Sequence, residues 1–335
     1  MFTVVIPLFE KGPYVRRALE SVCAQTVPAA EIIVVNDGST DGGGDVARAF
    51  VPPAGGPRVR VIDQANRGVS AARNAGIAAA SQAYVAFLDA DDRWAPEFLS
   101  RMRDLIERCP GAMLYGSGFV TTRDGRELRR YGVVPAEIEG GDPRGGRVDF
   151  FRGLAREFVV HSSSMIAPKA ALERIGGFPD GVTHGEDFLV WAKLALAGPV
   201  VLTPEPLTAY DVGVPGQAVT YWQGGYRTDF TILAYHRFLA DELRKRPDSP
   251  PDSFTTYAVG QLETAALQRL YWGRLQALAD FVQELGLDSL PLGRRGRLAC
   301  WIARHKIAWI PVATMMAPIR LGRESLKRCR RVAVA

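Results

Sequence analysis

Between Tyr84 and Trp94 the chain reads Tyr-Val-Ala-Phe-Leu-Asp-Ala-Asp-Asp-Arg-Trp, an apolar run that turns abruptly acidic. The run suits a strand buried on both faces, as the strands of parallel sheets are. Burial does not explain why Asp89, Asp91 and Asp92 crowd the carboxyl end of that strand, where like charges repel. Something positive must balance them. Clustered aspartates at a strand end suit a hard divalent cation, which takes oxygen ligands and bridges to phosphate oxygens. Asp92 by itself reads equally as part of a solvated turn capping a helix that begins near Pro96. Trp94 stands where an EF-hand needs glycine, so that motif is excluded.

The flanking sequence alternates in period. Residues 3–8, 31–36, 58–63 and 84–89 read as strands; 13–25, 45–50 and 69–81 read as helices, with Pro13 suited to a first helical turn. Such alternation implies an α/β fold with a mostly parallel sheet and right-handed crossovers. Ligands of these sheets gather at the carboxyl ends of the strands, where Asp37 and Asp89 both fall. Further on, a helix is expected over 96–108, strands over 112–120, 158–166 and 199–204, and a helix over 187–197. The Gly/Pro/Arg-rich segment 135–147 reads as a mobile surface loop. Residues 221–245 and 254–285 are helical by periodicity. The expected organisation is a nucleotide-binding α/β domain over 1–210 and a helical region over 211–335, with a basic tail from about residue 294.

Composition narrows the class. With 335 residues, 47% hydrophobic and 23% charged, the chain is an ordinary globular protein. Cys23, Cys109, Cys300 and Cys329 lie far apart without CxxC spacing, against a zinc site and for a reducing compartment. The start, MFTVVIPLFE, has neither a basic n-region nor a cleavage site, so no signal peptide is expected. The net charge of +5 conceals an asymmetry: residues 294–335 hold eleven Lys/Arg against Glu324 alone, and the preceding 293 residues hold 30 against 35 acids. A basic tail on a mildly acidic body points to a polyanion or an anionic membrane. There is no GxxxxGK[ST] and no GxGxxG after the first strand, so a nucleotide would be held through metal-bridged phosphates and side chains.

Five stretches occur in order: VVIPLFEKGPYVRRALESVCAQT, EIIVVNDGSTDGG, NRGVSAARNAGI, FLDADDRW and GGFPDGVTHGEDFLVWAKLA. Together they resemble the family-2 inverting glycosyltransferases of GT-A fold, over roughly residues 1–205. The resemblance implies a nucleotide-sugar donor, Mn²⁺ or Mg²⁺, and a glycan or lipid-linked acceptor. It places Pro7 and Glu10 in the base and ribose pocket, Asp37 on the nucleotide base, and Arg73 toward the nucleotide. Asp91 would ligate the metal, with Asp89 assisting through the ribose or the metal. Asp187 of the HGED motif matches the family's catalytic aspartate; inversion is a single displacement, and the attacking hydroxyl needs a base. Glu186 can equally serve as the acid that a helix N-terminus favours.

Two departures qualify the resemblance. Where relatives carry a YRxH-like stretch, this chain reads AYDVGVPGQA without histidine, leaving water or Asp211 to complete the coordination. The QxxRW of processive synthases is absent, and YWQGGYR (221–227) has the wrong spacing, which favours addition of a single sugar. His161 reads either as a pocket-lining group or as a satisfied interior histidine, and His184 lies on an acceptor-facing loop. Competing functions are a catalytically degenerate nucleotide-sugar-binding module and a dinucleotide oxidoreductase, the latter opposed by the missing glycine fingerprint. In the tail, the charge-free run 307–319 is too short to span a bilayer and is interrupted by Pro311 and Pro318. Three readings of the tail stand: an anchor at an anionic inner membrane face of a cytoplasmic protein, a packed helix pair with a solvated basic face, or a protein-partner site. No nucleic-acid-binding module accompanies the charge.

Overall fold

A computed structural model of the protein describes residues 1–155, 160–182, 185–215, 230–246, 252–271 and 275–305. Its first half alternates as the sequence predicts: β1 (Phe2–Leu8), α1 (Gly12–Cys23), β2 (Glu31–Asp37), α2 (Gly43–Arg48), β3 (Arg58–Gln64), α3 (Val69–Ala79) and β4 (Tyr84–Phe87). There follow β5 (Arg93–Trp94), α4 (Phe98–Arg108), β6 (Leu114–Arg123), β7 (Arg126–Tyr131), β8 (Gly146–Val148) and α5 (Phe150–Ala155). The unit closes with β9 (Met165–Pro168), α6 (Lys169–Arg174), α7 (Glu186–Ala197) and β10 (Val200–Asp211).

These strands form one ten-stranded sheet in the order β3-β2-β1-β4-β9-β6-β10-β5, with β7 on β6 and β8 on β10. The longest ladders, β2–β3 and β6–β10, are parallel, as are β1–β2 and β1–β4. β9 runs antiparallel to both of its neighbours, β4 and β6. This reversal inside the sheet positions the site. It makes β9 begin level with the end of β4, while β6 and β10 run on past that point.

Alternation along β1 divides the core. Phe2, Val4, Ile6 and Leu8 face one layer with Val15, Leu19 and Val22 of α1 and Phe98, Met102 and Leu105 of α4. On the opposite face α3 packs against β1 and β2, burying Ala72 against Ile33 and Val35. Gly76 permits that approach: a Cβ there would lie 2.3 Å from Val5 Cγ1. Phe87 meets Phe178 and Trp191 of α7 at centroid distances of 5.3 and 5.8 Å.

Some expectations change. The strand expected over 158–166 begins only at Met165; His161 precedes a 3-10 turn, Ser162–Ser164, and does not lie at a strand's end. The reason is local: the Ser163 and Ser164 N–H groups bond back to His161, to its Nδ1 and its carbonyl, and so are not available to a ladder. β10 runs to Asp211, past the predicted end at 204. Segment 135–147 contains two 3-10 turns and enters β8.

The chain divides into two compact units, Met1–Ala218 and Val219–Ala335. Helices of the second are Phe230–Arg244, Ser253–Tyr271, Leu275–Leu285 and Arg294–His305, so the helix expected over 254–285 is two. Its interior includes Leu239, Leu262, Leu278 and Leu285. His184, the 221–227 stretch and the tail beyond residue 305 lie outside the described residues.

Candidate active site

The site is built where the parallel strands end. After Phe87 the chain leaves the sheet through Leu88 and Asp89, and the Asp89 carbonyl accepts the Asp92 N–H at 3.0 Å. This tight turn brings Asp89, Asp91 and Asp92 together, and each is held differently. Asp89 accepts from Arg73 Nη2 at 2.9 Å. Asp91 faces Lys11 Nζ at 3.3 Å, and its carbonyl accepts from Arg17 at 2.6 Å. Asp92 is 1% exposed, accepts from the Ser163 hydroxyl, and lies 3.6 Å from His161 Nδ1. The solvated, helix-capping reading of Asp92 is therefore corrected. The turn directs its carboxylate inward, and α4 starts after Glu97 with no side-chain cap.

Asp89, Asp92 and His161 each offer a ligand atom, all within 4.8 Å of one another. Asp92 Oδ1 is buried and has no hydrogen-bond partner. An orphaned buried carboxylate oxygen is costly, and a cation would satisfy it. Burial, then Asp91 and Asp89, push the Asp92 carboxyl well above its ordinary range. Two carboxylates and an imidazole suit Mn²⁺ or Mg²⁺, the imidazole favouring the transition metal. Asp211, read as a further ligand, is engaged elsewhere: Arg17 at 2.5 Å, Arg93 at 3.6 Å and the Thr122 hydroxyl surround it. His161 stands with Asp89 and Asp92 among the groups that could hold an ion.

Arg73 is the hub behind this cluster. It is 3% exposed, stacks 5.1 Å over Phe178, and donates to Asp89 and, at 2.8 Å, to Glu186. Burial alone would lower its guanidinium, but Asp89 and Glu186 hold it above the usual value. Glu186, largely through burial and then the charge of Asp187, is pushed up to about 7. Asp187 is partly exposed and accepts from the Ser162 hydroxyl at 2.9 Å and the Phe188 N–H at 2.8 Å.

The 3-10 turn Ser162–Ser164 joins the two halves. Ser163 donates to Asp92 and accepts from the Asp89 N–H at 3.0 Å, and Ser162 holds Asp187. Sequence reasoning missed these serines. Their signal was three hydroxyls in a row after a histidine, in a segment otherwise apolar.

Along the neighbouring strand ends, Pro7 is opposite Val35 in the β1–β2 register. Glu10 sits at φ +51° with its carboxylate accepting from the Thr40 N–H at 2.7 Å. Asp37 is 2% exposed and takes bonds from Gln64 and from the Arg67 and Gly68 N–H groups at 2.7, 2.9 and 2.8 Å. Its carboxylate thus shapes the loop entering α3.

A family model described as glycosyl transferase family 2 matches residues 3–171. Among curated proteins, the uncharacterized glycosyltransferase YibD of Escherichia coli K12 is 47% identical over 94 residues, 28% of this chain and 27% of that protein. The uncharacterized glycosyltransferase EpsJ of Bacillus subtilis is 34% identical over 139 residues, 42% of this chain and 38% of that protein. The chain spans about a third of the length of such curated relatives. Solved S. aureus TarS 1-349 in complex with UDP-GlcNAc superposes with a TM-score of 0.65 at 18% identity, over 91% of this chain and 87% of that one. The mannosyltransferase PcManGT of Pyrobaculum calidifontis, with GDP-Man and Mn²⁺, gives 0.54 at 19% identity, over 99% and 82%. At such identities the likeness establishes the fold, that of the GT-A enzymes.

Proposed function

Because the chain belongs to glycosyl transferase family 2, we propose that it moves one sugar from a nucleotide-sugar donor to a hydroxyl of a glycan or lipid-linked acceptor. The reaction is inverting and serves cell-surface polysaccharide biosynthesis. One observation carries the reading: a single turn holds a cation-ready cluster through Ser163 and a separate, partly exposed carboxylate, Asp187, through Ser162.

In this reading Asp187 is the catalytic base. The acceptor oxygen bonds the anomeric carbon while its proton passes to Asp187. The bond from that carbon to the diphosphate oxygen breaks, and its electron pair leaves with the nucleoside diphosphate. Asp89, Asp92 and His161, with Asp91 beside them, would hold Mn²⁺ or Mg²⁺, which when bound neutralises charge on the leaving diphosphate, an effect worth several kcal/mol. Pro7, Glu10 and Asp37 line the base and ribose end of the donor site, and Arg73 serves the donor by fixing Asp89.

The expected 1–210 and 211–335 division is our proposal for catalytic domain and helical region, with the first compact unit running on to Ala218. On the helix Arg294–His305, Leu298 and Trp301 are 45% and 50% exposed, one turn apart, among exposed Arg294, Arg295 and Arg297. That ridge supports an interfacial anchor at the anionic inner face of the cell membrane. Among the described residues no helix is long and apolar enough to cross a membrane.

A thermal-shift screen of UDP-, GDP- and dTDP-sugars, with and without Mn²⁺, tests the donor assignment. The matching donor stabilises the fold by about 2.7 kcal/mol at 100-fold over its Kd. No shift with any of them in Mn²⁺ would reject it.

A further inference from the structure

The cations around the catalytic edge fall into two groups. Arg73 is matched by Asp89 and Glu186, Lys11 by Asp91, and Arg17 and Arg93 by Asp211. The β6–β7 hairpin differs. It exposes Arg123, Arg126, Arg129 and Arg130 within eight residues, and only Arg130 has an acid partner among the described residues, Glu127.

The hairpin is tied to the site. β6 runs parallel to β10, so its turn stands at the same sheet edge as Asp211, which pairs with Thr122 in register. Asp124 and Gly125, at φ +51° and +77°, make the tight two-residue connection. From the cluster a chain of rings leads to it: Phe119 lies 5.2 Å from His161, Tyr131 stacks on Phe119 at 4.9 Å, and Arg129 covers Tyr131 at 4.8 Å.

We propose that this hairpin binds a negatively charged glycan acceptor, one whose units carry phosphate or carboxylate groups, and guides it to Asp187. The proposal rests on the transferase reading above. A guanidinium fork matches either anion with paired hydrogen bonds, and Arg129, stacked on Tyr131, is pre-ordered for it. Charge that merely blocks edge pairing of β7 needs no such stacking and no excess of one sign. A bilayer is the poorer partner, because Leu128 is the one large apolar residue exposed on the strand.

The test compares the full chain with an Arg126→Glu/Arg129→Glu variant and an Arg294→Glu/Arg295→Glu control. The probes are oligogalacturonate, a glycerol-phosphate oligomer, neutral dextran and phosphatidylglycerol vesicles, at low and high salt. Wild type should bind at least one anionic oligomer, which tells carboxylate from phosphate recognition, and should not bind dextran. The hairpin variant should lose about tenfold or more in affinity, as expected for two lost charge-assisted contacts. The control should keep it. Unchanged oligomer binding by the hairpin variant, equal binding of dextran, binding of neither anionic oligomer, or loss confined to vesicles would each overturn the proposal. The nucleotide-sugar thermal shift of the same variant reads the transferase assignment separately, since it should match wild type.

Discussion

Glu186 and Asp187 are adjacent but live in different electrostatic surroundings. Glu186 is buried beside Arg73, and burial, then the charge of Asp187, lifts its carboxyl to about 7 against the lowering pull of that guanidinium. Asp187 reaches the surface and has a serine hydroxyl and a helix N–H to steady it. A base must meet its substrate's proton, so the exposed member of the pair is the one that can act. Asp187→Asn should leave donor binding within about twofold and lower turnover by about 10² or more, the usual worth of a positioned base. A rate within tenfold of wild type would refute the assignment. Ser162→Ala removes one bond to that carboxylate, so kcat should fall by about tenfold with donor KM unchanged, from the net worth of a bond to a charged group. An unaltered kcat would show that Ser162 does not position the base.

At the scale of elements, the parallel half was legible because β2 (EIIVVND) is buried at every position and α3 is rich in small residues, of which Ser70, Ala71, Ala72 and Gly76 are buried. Small residues matter there. Gly76→Ala should cost about 1–3 kcal/mol through overpacking against Val5, read as a lowered denaturant midpoint at constant slope. An unchanged midpoint would mean that α3 can shift away from β1. Asp89, Asp91 and Asp187 stood out as motifs in the sequence, the first two just past β4 and the third in the first turn of α7. Which of its two readings His161 takes, and what its three serines do, could not be read, because that depends on β9 running antiparallel beside β4, a long-range fact. The β6–β7 hairpin was legible in Asp124-Gly125 and went unread behind the strand expected to end at 120. Asp92 was misjudged since local pattern cannot say which way a turn aims a carboxylate.

Across the whole molecule, the two units carry different liabilities. In the helical one His236 is 5% exposed, and burial, aided by Arg269, lowers its pKa to about 4. The folded form thus keeps it neutral while the unfolded chain protonates near 6.5. Stability from this group is present above pH 6.5 and is lost as pH falls toward 4, by up to about 3 kcal/mol. His236→Leu should flatten that acid limb in denaturant titrations, and an equally steep limb would place the acid sensitivity elsewhere. The central claim concerns the reaction: one displacement at the anomeric carbon, with Asp187 taking the proton. It is tested most directly by ¹H NMR of the full chain with Mn²⁺ and the α-linked nucleotide sugar that stabilises it, water serving as acceptor. The sugar first released should be the β anomer, before mutarotation equilibrates it, and Asp187→Asn should release it about 10²-fold or more slower. An initial α anomer would contradict the account.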